Sequence, residues 1–324
     1  MSRSLVAPAV GGLVVLLLLI GLIGTAIRDP KPHDIPVGLV GPAPAVQQLS
    51  ENFAKAAPGT FQFTSFESED AARAALDSRT VAGVLVLGQA APRLILAGAA
   101  GDAVTGVITA VFTNAFRAQS LTLQVETVHP FNSGDAHGLV LFFLVVALMV
   151  SVLVTQALFQ SEAKEAGLAA RFIFVVVYAA LAGTAGMAAA SWITDDFSSA
   201  FWAASGLAAL AVAAVGAVVA GCARALGGPG LGLAALVVVL LGLVSSGGPA
   251  GSEFLPDFYR SLGPWMPPGQ LYDAFRGALY FDGAGLGGPV LVLTGWLIGG
   301  VLLMVLGEVV SRSRAGKTAK ATAG

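Results

Sequence analysis

Long apolar stretches alternate with polar segments along this chain, and their lengths predict helices that cross a membrane. A hydrocarbon core about 30 Å thick needs about 20 helical residues at about 1.5 Å each. Six stretches reach that length: residues 6–27, 139–158, 171–191, 200–222, 230–246 and 286–310. The pattern therefore predicts one span, a polar region, and then five spans.

The polar region, residues 28–137, has the periodicity of a small α/β domain. Short apolar or alternating runs predict strands at 35–40, 61–66, 81–87, 93–97 and about 121–125. Helical spacing predicts helices at 46–57, at 68–78 and from Asp102 onward. Glu69 and Asp70 fall in the first turn of the second helix, where the helix dipole favours acids.

These patterns divide the chain into four parts. Residues 1–27 form a transmembrane anchor, 28–137 an α/β domain, 138–310 a five-helix transmembrane domain, and 311–324 a basic tail. A cleaved signal peptide is the alternative for the first part, but an apolar core of about 7–15 residues is typical of those, and this one is longer. We therefore expect an uncleaved anchor.

Composition agrees with an integral membrane protein. The chain is 56% hydrophobic and 11% charged, with a mean hydropathy of +0.82. Its net charge of −2 argues against nucleic acid as a partner. Cys222 is the single cysteine, and the three histidines show no metal-ligand spacing, so we expect no metal and no cofactor.

The distribution of positive charge predicts the orientation in the cell membrane. With the N-terminus in the cytoplasm, the short outer loops hold only Arg260 and Arg276. The inner segments then hold Arg3, Lys164, Arg171, Arg224, Arg312, Arg314, Lys317 and Lys320. Both termini are therefore expected in the cytoplasm, and residues 28–137 outside it.

The segment between the fifth and sixth spans, residues 252–282, is rich in aromatic side chains. It predicts two short helical pieces that are separated by a Gly- and Pro-rich break at 263–269. One interpretation is a belt of aromatic residues at the membrane interface; the other is a re-entrant hairpin at the outer mouth of a transport path. The second interpretation makes these residues a candidate outer gate: Pro256, Tyr259, Trp265, Pro267, Pro268, Tyr272, Arg276 and Tyr280.

The polar turn between the second and third spans is the second candidate site. Glu162, Lys164 and Glu165 lie there among good helix formers. The turn could dock into a partner and transmit force to the helices, or it could be a solvated connector.

The chain shows no energy source of its own. The spans hold almost no ionisable residues at mid-membrane, which argues against ion coupling. Gly316-Lys317-Thr318 lacks the first glycine of a phosphate-binding loop, since Ser311 stands there. Because no nucleophile is paired with a base either, we expect no enzymatic activity.

The layout resembles the type-2 ABC exporter permeases, and among them the bacterial phage-infection-protein (Pip-like) membrane proteins. The similarity rests on FLPDFYRSLGPWMPPG (254–269) with FRGALYF (275–281), and on IPVGLV (35–40) with the region 71–87. In that family two six-span units form the path, as a homo- or heterodimer, and a separate ATPase subunit binds beneath. The resemblance implies that the turn at 162–167 is the ATPase-coupling element.

These observations predict a permease subunit of an ABC-type exporter, which moves a lipophilic or amphipathic compound outward through membrane lipid. The alternative is a non-transporting envelope scaffold or receptor, such as a secretion accessory or a phage-receptor-like protein, that acts through its extracytoplasmic domain. Changes in the turn at 162–167 would impair an exporter and leave a receptor unaffected.

Overall fold

The computed structural model describes residues 3–88, 91–163 and 165–322. Most of these residues are helical, and six helices are long and apolar enough to cross a membrane. A small five-stranded sheet follows the first of them in the chain. The structure therefore agrees with the six apolar stretches in the sequence and indicates a multi-pass membrane protein.

The sheet is mixed, with strand order β2-β1-β3-β4-β5. Only the β3–β4 pair is antiparallel; the other three pairs are parallel. The strands are β1 (Ile35–Val40), β2 (Phe61–Phe66), β3 (Gly83–Val86), β4 (Arg93–Ala97) and β5 (Gln124–Val128). The sequence predicted β1, β2 and β4 with these bounds.

The last strand begins later than the alternation of residues 121–125 predicted. The Leu121 N–H donates to the Phe116 carbonyl at 3.0 Å, so the chain is still closing the turn that ends the preceding helix. Pairing with β4 starts only at Gln124. Backbone hydrogen bonds that end the helix therefore decide the start of this strand.

Helices cover both faces of the sheet. They are α2 (Ala43–Ala56), α3 (Glu69–Asp77) and α4 (Asp102–Arg117). Val46 of α2 and Ile108 and Phe112 of α4 are buried against one face. Leu76 of α3 is buried against the other face, together with Phe281 from far along the chain. Residues of the helical half therefore complete the core of the α/β domain.

The ends of α3 and of the helix after β5 are fixed by specific hydrogen bonds. The Ser68 side chain accepts the Ala71 N–H at 3.2 Å and caps α3 at its predicted start. Asp135 accepts the N–H groups of Val140 and Leu141 at 3.0 and 3.4 Å. Burial raises the pKa of the Asp135 carboxyl.

The second half of the chain is a helix bundle centred on α7, which is the most buried of the six candidate spans. Its long helices are α5 (Leu139–Glu162), α6 (Leu168–Thr194), α7 (Phe201–Leu226) and α12 (Gly287–Thr322). By contrast α1 (Arg3–Ile27) is exposed along most of its described surface. Its contact with the bundle is a small cluster that holds Ala26, Leu255 and Tyr259.

The fifth span is not one regular helix. It consists of α8 (Gly228–Ala234), a π-helical segment (Ala235–Leu241) and α9 (Gly242–Ser245). π-helical turns are rare and are frequent at functional sites. The apolar stretch 230–246 predicted the span but carried no signal for the π-helical segment.

Two short helices, α10 (Asp257–Leu262) and α11 (Pro267–Tyr280), connect the fifth span to α12. They are the two pieces that the aromatic segment predicted, and a 3₁₀ turn (Gly263–Trp265) lies between them. The last helix continues to Thr322, through most of the predicted basic tail. We refer to the end of the bundle near Leu139 and Thr194 as the sheet-side end, and to the end near Glu162 and Leu168 as the far end.

Candidate functional site

A cavity of about 460 Å³ lies where the α/β domain meets the sheet-side end of the bundle. Its wall combines residues from the end of α3, from the loop after β4, from the end of the fifth span and from the hairpin of α10 and α11. This size falls in the range of small-molecule sites. The cavity is therefore the strongest candidate site in the described part of the chain.

An ion pair joins the two halves of the chain at one side of this cavity. The Arg79 guanidinium pairs with the Asp273 carboxylate and also donates to the carbonyls of Asp273 and Ala284, each at 3.3 Å. It also lies 5.3 Å from the centre of the Phe281 ring. The Arg79 side chain is only 13% exposed, so this contact is largely shielded from solvent.

Arg79 adopts a left-handed backbone conformation, with φ at 64°. It lies two residues after the end of α3, and its N–H donates to the Leu76 carbonyl at 2.9 Å. Glycine is usual at this position of a helix end, because a Cβ makes the conformation costly. Glycine would adopt this backbone conformation more easily, but it has no side chain to make the contacts that Arg79 makes with the bundle.

A second arginine, from the bundle, reaches into the α/β domain. Arg276 donates through Nε to the Ala99 carbonyl at 2.8 Å and through Nη2 to the Ala100 carbonyl at 2.7 Å. Its guanidinium carbon lies 5.9 Å from the centre of the Tyr272 ring. Arg79 thus extends from the α/β domain to the bundle, and Arg276 extends from the bundle to the α/β domain.

The structure separates the eight predicted gate residues into two groups. Tyr272 and Arg276 line the cavity. The other six are not among its lining residues: Pro256, Tyr259, Trp265, Pro267, Pro268 and Tyr280.

The contacts of this second group are specific. The buried Tyr259 hydroxyl donates to the Leu22 carbonyl at 2.9 Å and lies 2.6 Å from the Thr25 hydroxyl, which joins α10 to α1. Pro256 immediately precedes α10, and Tyr280 packs edge-on against the Phe131 ring.

Three further members support the break between α10 and α11. The Trp265 carbonyl accepts the indole N–H of Trp296 of α12 at 2.6 Å. Pro267 and Pro268 are buried in the first turn of α11. A Cβ added to Gly242 of α9 would lie 2.8 Å from Pro268 Cδ, so the two backbones are in close contact there.

The turn at the far end of the bundle is exposed but held in place. Glu162 and Glu165 are both exposed, and Lys164 lies outside the described residues. The buried Arg171 donates to the carbonyls of Ala163 and Ala166, at 3.4 and 3.0 Å. It therefore fixes the backbone of the turn relative to α6.

This arginine also connects the turn to the central helix. Arg171 donates to Gln160 Oε1 at 2.8 Å, and Gln160 Nε2 donates to the Ala223 carbonyl of α7 at 3.3 Å. A force on the exposed turn would thus be transmitted to three helices, α5, α6 and α7.

The cavity residues that were not singled out from the sequence include Arg79, Ser245, Glu253 and Asp273. Charged residues of a polar region usually lie on a solvated surface, so the sequence around Arg79 carries no signal for a site. No local signal pairs Arg79 with a residue nearly two hundred positions away. Only the docking of the two halves brings Arg79 into the same wall as the other three residues.

Within the described ranges, no group of three or more His, Cys, Asp or Glu side chains is arranged to hold a metal ion. Comparisons with known proteins give no further indication, because no family model, no curated protein and no solved structure matches this chain.

Proposed function

We propose that this protein is the membrane-spanning permease subunit of an ABC-type exporter, and that it moves a lipophilic or amphipathic compound outward. The observation that carries the proposal is the cavity between the α/β domain and the bundle. Its wall includes both charged side chains, such as Arg276, and apolar ones, such as Val104 and Phe281. A wall of this kind suits a compound with one polar end and one apolar end.

The proposed orientation places the cavity on the outer side of the cell membrane. Both termini lie in the cytoplasm and residues 28–137 lie outside, as the distribution of positive charge favours. Trp192 and Trp202, 82% and 76% exposed, stand at the sheet-side end of α6 and α7. Tryptophan is enriched at the membrane–water interface, which supports a boundary at this level.

The energy for export would come from a separate ATPase subunit that binds at the far end. The turn at 162–167 supports this, since it combines exposed acidic side chains with a fixed backbone. The resemblance to type-2 exporter permeases further suggests that two permease units, identical or different, form the complete path.

We expect Glu162→Ala combined with Glu165→Ala to abolish most of the communication with the ATPase. The full-length protein is purified from native membranes through its C-terminus, and the ATPase rate of the captured partner is measured. The double variant should lose at least about tenfold of the stimulation, because charge-assisted contacts contribute about 1.5–3 kcal/mol each.

A control variant, Glu51→Ala combined with Glu67→Ala, removes two exposed acids from the α/β domain instead. It should leave the stimulation unchanged. Failure to capture any nucleotide-hydrolysing partner would contradict the proposal.

One observation favours the alternative, an envelope scaffold or receptor. A smaller cavity of about 230 Å³ lies beside the edge strand β2, with Phe53, Phe61 and Phe63 in its wall. Edge strands offer unpaired backbone groups to a partner. If this function is correct, envelope proteins should be captured with the chain, and the Glu162/Glu165 double variant should capture them equally well.

A further inference from the structure

Only some of the charged side chains that line the large cavity form ion pairs with one another. Four of them line it: Arg79, Glu253, Asp273 and Arg276. Arg79 and Asp273 form an ion pair. Among the described residues, Glu253 has no cationic partner within 4.0 Å, and Arg276 has no carboxylate within that distance. The cavity therefore holds one carboxylate and one guanidinium that form no ion pair with another described residue.

Arg276 still has hydrogen-bonding capacity. Its Nε and Nη2 atoms donate to the carbonyls of Ala99 and Ala100, and these bonds fix the plane of the guanidinium. A guanidinium has five N–H donors, so some remain for an anionic group. Carboxylate and phosphate oxygens are the acceptors that match its geometry.

We propose that this cavity binds a zwitterion, a compound with an ammonium group and an anionic phosphate or carboxylate group. The ammonium group lies against Glu253, and the anionic group lies against Arg276. A volume of about 460 Å³ accommodates a phospholipid headgroup or a small soluble zwitterion, but not a whole phospholipid.

The claim that the zwitterion is the exported compound rests on the proposed function. The claim that the cavity binds a zwitterion does not depend on it. The experiment therefore measures binding to the full chain in a non-ionic detergent, without an ATPase partner. Loss of binding specificity would contradict the ligand class alone, and a partner ATPase that does not respond to the protein would contradict the exporter alone.

The probes are phosphatidylethanolamine and phosphatidylglycerol with the same fluorescent acyl chain, so that they differ only in the headgroup. We expect the wild-type protein to bind phosphatidylethanolamine at least about tenfold more tightly, because one charge-assisted hydrogen bond to Glu253 is involved. Glu253→Gln, which keeps the shape of the side chain, should remove this preference. Glu253→Lys should reverse it in favour of phosphatidylglycerol.

Glu67→Gln is the matched control, since Glu67 is exposed in the α/β domain and is not among the residues that line the cavity. It should retain the full preference. Displacement of the labelled lipid by free phosphoethanolamine would identify the headgroup alone as sufficient; lack of displacement would show that the acyl chains are needed as well. Equal binding of both lipids by the wild-type protein, or an unchanged preference in both Glu253 variants, would overturn the proposal.

Discussion

Gly221→Ala is expected to destabilise the protein by about 2 kcal/mol, because a methyl group at this position would enter the backbone of a neighbouring helix. A Cβ on Gly221 of α7 would lie 2.7 Å from the carbonyl carbon of Leu303 and from the amide nitrogen of Met304. Both atoms belong to the backbone of α12, which cannot rotate away as a side chain can. The two helices would have to separate, and the packing between them would be lost.

Gly206→Ala is the matched control in the same helix. A Cβ at Gly206 would meet nothing within 4 Å, so only the higher helix propensity of alanine acts there. We expect this variant to be as stable as the wild type or up to about 1 kcal/mol more stable. Unfolding in mixed detergent micelles, followed by tryptophan fluorescence, measures both variants. Equal stability of the two would contradict the close packing of α7 and α12.

The second large effect is expected from Arg79→Ala, which removes the ion pair between the α/β domain and the bundle. The variant loses the bond to the Asp273 carboxylate and leaves the carbonyls of Asp273 and Ala284 without this donor. Because the Asp273 side chain is 40% exposed, water can replace part of the interaction. We expect a loss of about 2 kcal/mol.

Limited proteolysis distinguishes this effect from a general loss of stability. Cleavage in the segment between β5 and α5, residues 129–138, should become faster in Arg79→Ala, because the α/β domain is less firmly attached to the bundle. Arg117→Ala removes an exposed arginine at the end of α4 and should be cleaved like the wild type. Identical cleavage of the Arg79 variant and the wild type would show that this ion pair does not hold the two parts together.

Much of the fold could be predicted because its signals are local. Each span is a continuous apolar stretch, and a backbone in lipid must satisfy its hydrogen bonds within the helix. Alternation at Phe61 and Phe63 predicted β2, and acids after Ser68 predicted the start of α3. The fifth span shows the limit of such signals, since nothing in its apolar sequence marks the π-helical segment.

The glycines of α12 show why packing could not be predicted in the same way. Gly295 and Gly299 form a GxxxG motif, yet a Cβ at either one would meet nothing within 4 Å. Gly300 and Gly307 are the glycines in close contact with α7, at Ala217 and Gly221. A motif records the spacing of small residues, but it does not record which side of the helix faces the partner.

The sequence by itself determined the six apolar helices, the α/β region between the first two of them, and the two short helices before the last. These follow from the periodicity of neighbouring residues and from the hydrogen bonds that each helix makes within itself. Only the tertiary structure decided the cavity, because Arg79 of the α/β domain lines it together with Glu253 and Arg276 only when that domain docks onto the bundle. Their contacts depend on side chains that are distant in the chain, and no local pattern encodes which distant charges will meet.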